Sequence, residues 1–131
     1  MFDKASNTKK QGDIGLGVAI SYFVQQGITV SIPLTDSQDY DLIVDDGGLK
    51  RVQIKTTSNK SESGGYEVGL RVLGGNRSWN GVAKVFDNTK VDYLFVLTEE
   101  GDKYLIPADK IESKNSIVVG KNKWNEYKIG R

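Results

Sequence analysis

The spacing of apolar and polar residues divides the 131-residue chain into one helical segment followed by a run of strands. Residues 11–27, QGDIGLGVAISYFVQQG, repeat apolar positions at helical intervals and stop at Gly27, a residue suited to closing a helix. Ser6, Asn7 and Thr8 stand upstream as potential caps. On steps of about 100° per residue, Leu16, Ile20, Phe23 and Val24 form one apolar stripe, and Asp13 falls inside it. Gly12, Gly15 and Gly17 each cost about 1 kcal/mol against alanine within a helix. Gly12, Gly15 and Ala19 make a flank small enough for a sheet, a partner or a nucleic-acid backbone to come close.

Strand patterns follow at Ile28–Leu34, Tyr40–Val44, Leu49–Thr57 and Tyr66–Leu73, separated by turn-rich segments and by the loop SNKSESGG. GGNRSWNG forms a second loop, and Val82–Asn88 reads as a short helix. VDYLFVL is a near-continuous apolar run, the pattern of a strand covered on both faces. KYLIP pairs back onto it, Ala108–Glu112 fits one helical turn, and the tail holds one weak strand. No repeat and no internal boundary is visible. The pattern predicts a single α+β domain over residues 1–131, with an N-terminal helix, a mixed β-sheet and a further short helix.

The hairpin YDLIVDDGGLKRVQIKT carries more polar groups than a hairpin needs. A three-residue turn at Asp46-Gly47-Gly48 sets Asp45 opposite Leu49. Counting back, Asp41 lies opposite Gln53, with Lys55 two residues further on the same face, across from Asp39. Two oxygen ligands and an amine thus converge at one sheet edge. The same residues also suit a solvated face with cross-strand polar pairs. Asp13 has two readings as well. In a first helical turn it complements the macrodipole; turned inward, a carboxylate requires a partner or a metal.

Composition narrows the chemistry. The chain has no histidine and no cysteine, which excludes Ser-His-Asp and Cys-His catalysis, imidazole or thiolate zinc sites, and disulfides. The remaining options are Asp, Glu, Lys, Tyr, Ser or a hard metal ion. No apolar run reaches the ~18 residues of a membrane span, and MFDKASNTKKQGD lacks the apolar centre of a signal peptide. These features predict a cytoplasmic protein with no membrane partner. A net charge of +1 leaves nucleic-acid binding to the local distribution of charge.

Asp41, eleven intervening residues and then Gln53-Ile54-Lys55 resemble the D…(D/E)xK signature of the PD-(D/E)XK nuclease superfamily. KKQGDIGLGVAISYF, YDLIVDDGGLKRVQIKT and VDYLFVLTEEGDKYLIP together resemble its small family that includes group I intron-encoded homing endonucleases. The likeness spans roughly residues 9–107. It implies a restriction-endonuclease-like core and a Mg²⁺-dependent endonuclease acting on double-stranded DNA, with Mn²⁺ as a substitute ion. It also implies roles. Asp41 is the main metal ligand, Gln53 and the Ile54 carbonyl add neutral oxygens, and Asp13 stands in for a helix acid where Leu16 sits. Lys55 orients or deprotonates the attacking water, or stabilises the pentavalent phosphorus. A base role needs a lowered pKa, which burial or a nearby cation would give; beside carboxylates alone the pKa would rise, which favours positioning. Two features depart from the superfamily pattern: glutamine at 53 in place of an acid, and Tyr40 in place of proline.

Arg51, on the face of Gln53 and Lys55, is the first choice for a phosphate contact. Lys60, Arg71, Arg77 and Lys84 lie in or beside the glycine-rich loops and are further DNA-binding candidates. Trp79 suits core cover or a subunit interface ahead of base stacking. Cutting both strands of a duplex calls for two sites, hence a homo-oligomer, a dimer or tetramer. Within the nuclease class the pattern admits a homing enzyme, another site-specific endonuclease or a Holliday-junction-resolvase-like enzyme. Gln53 and Leu16 would also suit a catalytically weak or inactive DNA-binding or assembly module. A small interaction domain without a nucleic-acid role is the third option.

Overall fold

The structure, a computed structural model, describes residues 1–71 and 84–130. Helix α1 spans Thr8–Gln25. The Asn7 side chain caps its start by accepting the Lys10 N–H at 2.9 Å, so the helix begins three residues ahead of Gln11. It closes into Gly27, whose φ of 79° is open mainly to glycine. The strands are β1 (Thr29–Ser31), β2 (Leu42–Asp45), β3 (Leu49–Thr57), β4 (Asn59–Lys60), β5 (Tyr66–Gly69), β6 (Tyr93–Thr98), β7 (Lys103–Pro107), β8 (Ser116–Val119) and β9 (Lys128–Ile129). Short 3-10 turns lie at Ala108–Lys110 and Asn125–Tyr127.

Six strands form a mixed sheet in the order β1-β2-β3-β6-β7-β9, and β4, β5 and β8 form a smaller one. In the large sheet only β3 and β6 run parallel. Alternation along β6 explains the layering. Phe95 and Leu97 join Ala19 and Phe23 beneath the helix. Leu94 and Val96 pack with Val68 and Leu70 of the small sheet. The large sheet therefore carries α1 on one face and the small sheet on the other, and its central strand is apolar throughout for that reason.

The hairpin has the predicted register, with Asp45 opposite Leu49 and Leu42 opposite Val52. Gly47 takes a φ of 74° at the turn. β3 keeps its predicted bounds, Leu49–Thr57, but β2 begins only at Leu42. Beyond Val52, β3 has β6 on one side and no ladder on the other.

Several elements differ from the pattern. The buried line of α1 is Gly15, Ala19 and Phe23; Leu16 and Ile20 are half-buried, and Val24 is 56% exposed. The cause is the approach of β3. A Cβ on Gly15 would stand 2.5 Å from Thr56 Cγ2 and 3.3 Å from Ile54 Cγ2. The helix settles onto the sheet along its small flank, which moves the contact line off the bulky stripe. Asp13 is accordingly exposed and does not face the core. Residues 84–88 are not helical; Phe86, buried at 3%, is drawn in extended form against Lys114, whose carbonyl accepts its N–H at 3.0 Å. β1 ends two residues ahead of Pro33, which has no N–H for a ladder. β5 stops at Gly69, and Val72 and Leu73 lie outside the described residues. The tail supplies two strands, β8 and β9, rather than one.

Gly15→Ala sets helix preference against packing. Alanine gains about 1 kcal/mol in an isolated helix. Forcing a methyl against Thr56, a β-branched side chain with little freedom, costs on the order of 1–3 kcal/mol. The variant should unfold at lower urea concentration than wild type; a higher midpoint would show that the contact is not limiting.

Candidate active site

Asp41 directly precedes β2, at the point where that strand leaves β3. Its N–H still donates to the Val52 carbonyl at 2.8 Å. Its carboxylate then turns back, and Oδ2 accepts the Ile54 N–H at 2.7 Å. A side chain thereby takes the hydrogen bond that a longer β2 would have made. The carbonyls of Arg51 and Thr57 serve the β6 side, accepting from Asp92 and Glu99. Backbone direction alternates along a strand, so both the N–H and the C=O of Ile54 face the open edge.

Two cavities meet over this edge, and Asp41, Ile54 and Lys55 line both. The larger, about 730 Å³, opens toward the start of α1, with Lys9, Gly12, Asp13 and Leu16 on one side and Gly69, Arg71 and Asn115 on the other. The smaller, about 340 Å³, lies beneath the segment from Pro33 to Tyr40 and includes Asp39 and Gln53. Asp41, Gln53 and Lys55 thus share one site, as the register required. Asp13 reaches the same site from the helix, on the larger cavity.

Gln53 is the most telling side chain. It is 3% exposed, and its Oε1 has no hydrogen-bond partner among the described residues. A buried acceptor left without a donor costs about 1–3 kcal/mol. An ion with a demand for oxygen would relieve that cost. The donor set of one carboxylate, one amide oxygen and one outward carbonyl fits a hard divalent cation, which retains several waters when few protein oxygens are on offer. Among the described residues no three acidic side chains cluster.

Lys55 is tethered from the small sheet: its Nζ donates to the Arg71 carbonyl at 2.7 Å. Arg71 is held in turn, its Nε donating to Asn115 Oδ1 at 3.1 Å. Lost hydration lowers the Lys55 amine below its usual pKa, and the Asp41 charge opposes this without overcoming it. That direction corrects the expected rise beside carboxylates; burial outweighs the single charge. Lost hydration likewise pushes the Asp41 carboxyl up, against the Ile54 N–H and the Lys55 amine, which both pull it down.

The basic candidates separate. Arg71 lines the larger cavity. Lys84 pairs with Asp39 at 3.6 Å, at the border of the smaller one. Arg51 lines neither cavity; it binds Asp92 through Nε at 3.1 Å and reaches the Thr89 carbonyl at 3.3 Å. Lys60 is also remote, 3.9 Å from Glu100 and above the Tyr66 ring at 4.6 Å. Arg77 and Trp79 lie outside the described residues. Sequence reading missed Asn115 and Gly69, which reach the cavity from β5 and the approach to β8. Only long-range pairing brings them there, and no local motif signals it.

A helix-faced mixed sheet thus carries an aspartate and a Gln-x-Lys triplet on an open strand edge. The sequence profile of the PD-(D/E)XK endonuclease family matches residues 6–128, and the chain belongs to that family. It is 30% identical over 100 residues to Protein 5.3 of Escherichia phage T7, covering 76% of this chain and 79% of that one. It also resembles the structure of a bacterial homing endonuclease, I-Ssp6803I. The TM-score is 0.78 and the identity 28%, with 94% of this chain and 89% of the other covered.

The Arg51–Asp92 pair gives a pH-dependent stability. The Arg51 hydrogen bond holds the Asp92 carboxyl below its usual 3.8. Its contribution is present above that value and is lost as pH falls through the depressed one. Asp92→Asn should therefore be less stable than wild type at neutral pH, with the gap closing in acid below the ordinary aspartate range. A gap that widens on acidification, followed by thermal unfolding across pH, would contradict the assignment.

Proposed function

We propose that the chain is a divalent-metal-dependent endonuclease that hydrolyses phosphodiester bonds in double-stranded DNA, as a homing or other site-specific endonuclease. The single observation that carries the metal reading is the buried, unpartnered Gln53 Oε1 beside Asp41. Mg²⁺ suits the oxygen donors, and Mn²⁺ would substitute.

Asp41 is the charged ligand, fixed in direction by the Ile54 N–H that it accepts. Gln53 adds a neutral oxygen, and the outward Ile54 carbonyl adds a second. Asp13 joins from α1 as an inner ligand or through water. A bound divalent cation supplies Lewis acidity and a water of lowered pKa. Lys55 orients or deprotonates the attacking water, and burial lowers its amine in the direction that a base requires. One of its three N–H donors is committed to Arg71, which leaves two to orient the attacking water or meet charge on the phosphorus oxygens. Among the described residues Arg71 is the arginine that lines the larger cavity and can meet a flanking phosphate, and Lys84 borders the other cavity. Arg51 and Lys60 would first have to exchange their carboxylate partners for phosphate. One site cuts one strand, so a double-strand break follows most simply from a dimer or tetramer. Among the described residues no helix is long and apolar enough to cross a membrane.

Supercoiled plasmid with Mg²⁺ tests the reading. Wild type should nick it, and EDTA should abolish the activity. Asp41→Ala and Lys55→Ala should each lose about 100-fold or more, as expected for groups that act on the reacting atoms. Binding of plasmid without nicking would favour an inactive DNA-binding module on the same scaffold.

Metal binding has its own readout. Mn²⁺ should raise the melting temperature of wild type, and the rise should grow with the logarithm of its concentration above the Kd. Asp41→Ala and Gln53→Leu should lose that rise, while Gln53→Glu should keep or enlarge it. An equal rise in all four proteins would place the ion elsewhere.

A further inference from the structure

Three glycines of α1 share a cost in helix stability, yet they differ in what offsets it. Gly15 is required by packing, since a Cβ there would collide with Thr56. Gly12 is not. A Cβ at Gly12 would meet nothing within 4 Å among the described residues, and its φ is not in the left-handed range. Neither packing nor backbone conformation calls for glycine at that position. Its location does differ from that of Gly17, the other glycine with open space around it. Gly12 lies on the helix face made by Lys9, Asp13 and Leu16, at spacings of three and four residues. That face borders the larger cavity beside Asp41 and Lys55.

The opposite wall repeats the feature. Gly69 closes β5, where glycine weakens a strand. Among the described residues a Cβ there would also meet nothing within 4 Å, and again φ is not left-handed. Gly69 lines the same cavity. Two elements distant in sequence thus leave side-chain-sized gaps on two walls of one cleft, and no contact among the described residues requires either gap.

We propose that Gly12 and Gly69 keep the larger cavity wide enough for the sugar-phosphate backbone of the strand being cut. The helix face around Gly12 would then be a docking surface for that backbone. This rests on the nuclease reading above and adds to it the side from which the strand enters. Lys9 and Arg71 flank the path as cations. Asp13 is the one carboxylate that the helix presents to it, and a phosphate can pass close to that group only with a cation between them.

The test uses opposed signs. Gly12→Ala, Gly12→Leu and Gly69→Val add side chains into open space and replace glycine with residues better suited to helix or strand. Each should melt no lower than wild type. Nicking of supercoiled plasmid in Mg²⁺, and binding of a labelled random-sequence duplex at low salt, should fall by about tenfold or more for Gly12→Leu and Gly69→Val and less for Gly12→Ala, as graded exclusion of the substrate requires. Gly17→Leu lies off the cavity and should match wild type within about twofold. Wild-type nicking and binding by Gly12→Leu and Gly69→Val would overturn the inference and leave the nuclease reading intact. So would an equal loss in Gly17→Leu. Failure of wild type itself to bind or nick would remove the nuclease reading, and this inference with it.

Discussion

The hydrogen bond from the Ile54 N–H to the Asp41 carboxylate is the contact on which the site depends. A β-strand that loses its neighbour midway must find other partners for its backbone groups. Here β2 stops at Leu42 while β3 runs on to Thr57. Asp41 fills the first vacated position with a side chain in place of a backbone carbonyl. The edge is thereby satisfied without being covered. One carboxylate oxygen is used for structure, and the group is left aimed across an opening beside Gln53 and Lys55. A β2 two residues longer, reaching Tyr40, would supply the missing carbonyl and release Asp41 from the edge.

Two further contacts turn that edge into an enclosed site. From one face, Gly15 lets α1 rest against Thr56, so the helix brings Asp13 and Leu16 to the cavity rim. From the other, the small sheet reaches over through Arg71, whose carbonyl holds Lys55 and whose side chain is held by Asn115. The two layers do not touch Asp41 by hydrogen bonds, yet they remove water around it. That loss of hydration moves the carboxyl up and the amine down. Both shifts disfavour the charged forms, and a divalent cation would reverse the penalty on the carboxylate.

Much of this was legible in the chain, and the reasons are local. The bounds of β3 follow from alternation over nine residues. The hairpin register follows from Gly47, because its turn admits a positive φ. With the register fixed, the meeting of residues 41, 53 and 55 follows from a period of two. The helix was legible as a helix but not in its orientation. Bulky apolar residues pointed to one stripe, whereas close approach along glycine and alanine chose another. Asn115, Gly69 and the hold on Lys55 arise from pairing between β5 and β8, and β8 lies nearly half the chain beyond the motif. The partnership of Arg51 with Asp92 depends on the parallel pairing of β3 with β6, which alternation alone does not specify.

Anomalous diffraction from crystals soaked in Mn²⁺ addresses the central claim most directly. A peak bounded by the Asp41 carboxylate, Gln53 Oε1 and the Ile54 carbonyl is expected. A peak at another group of residues, or Gln53 Oε1 found bonded to a protein donor with no ion beside it, would contradict the claim.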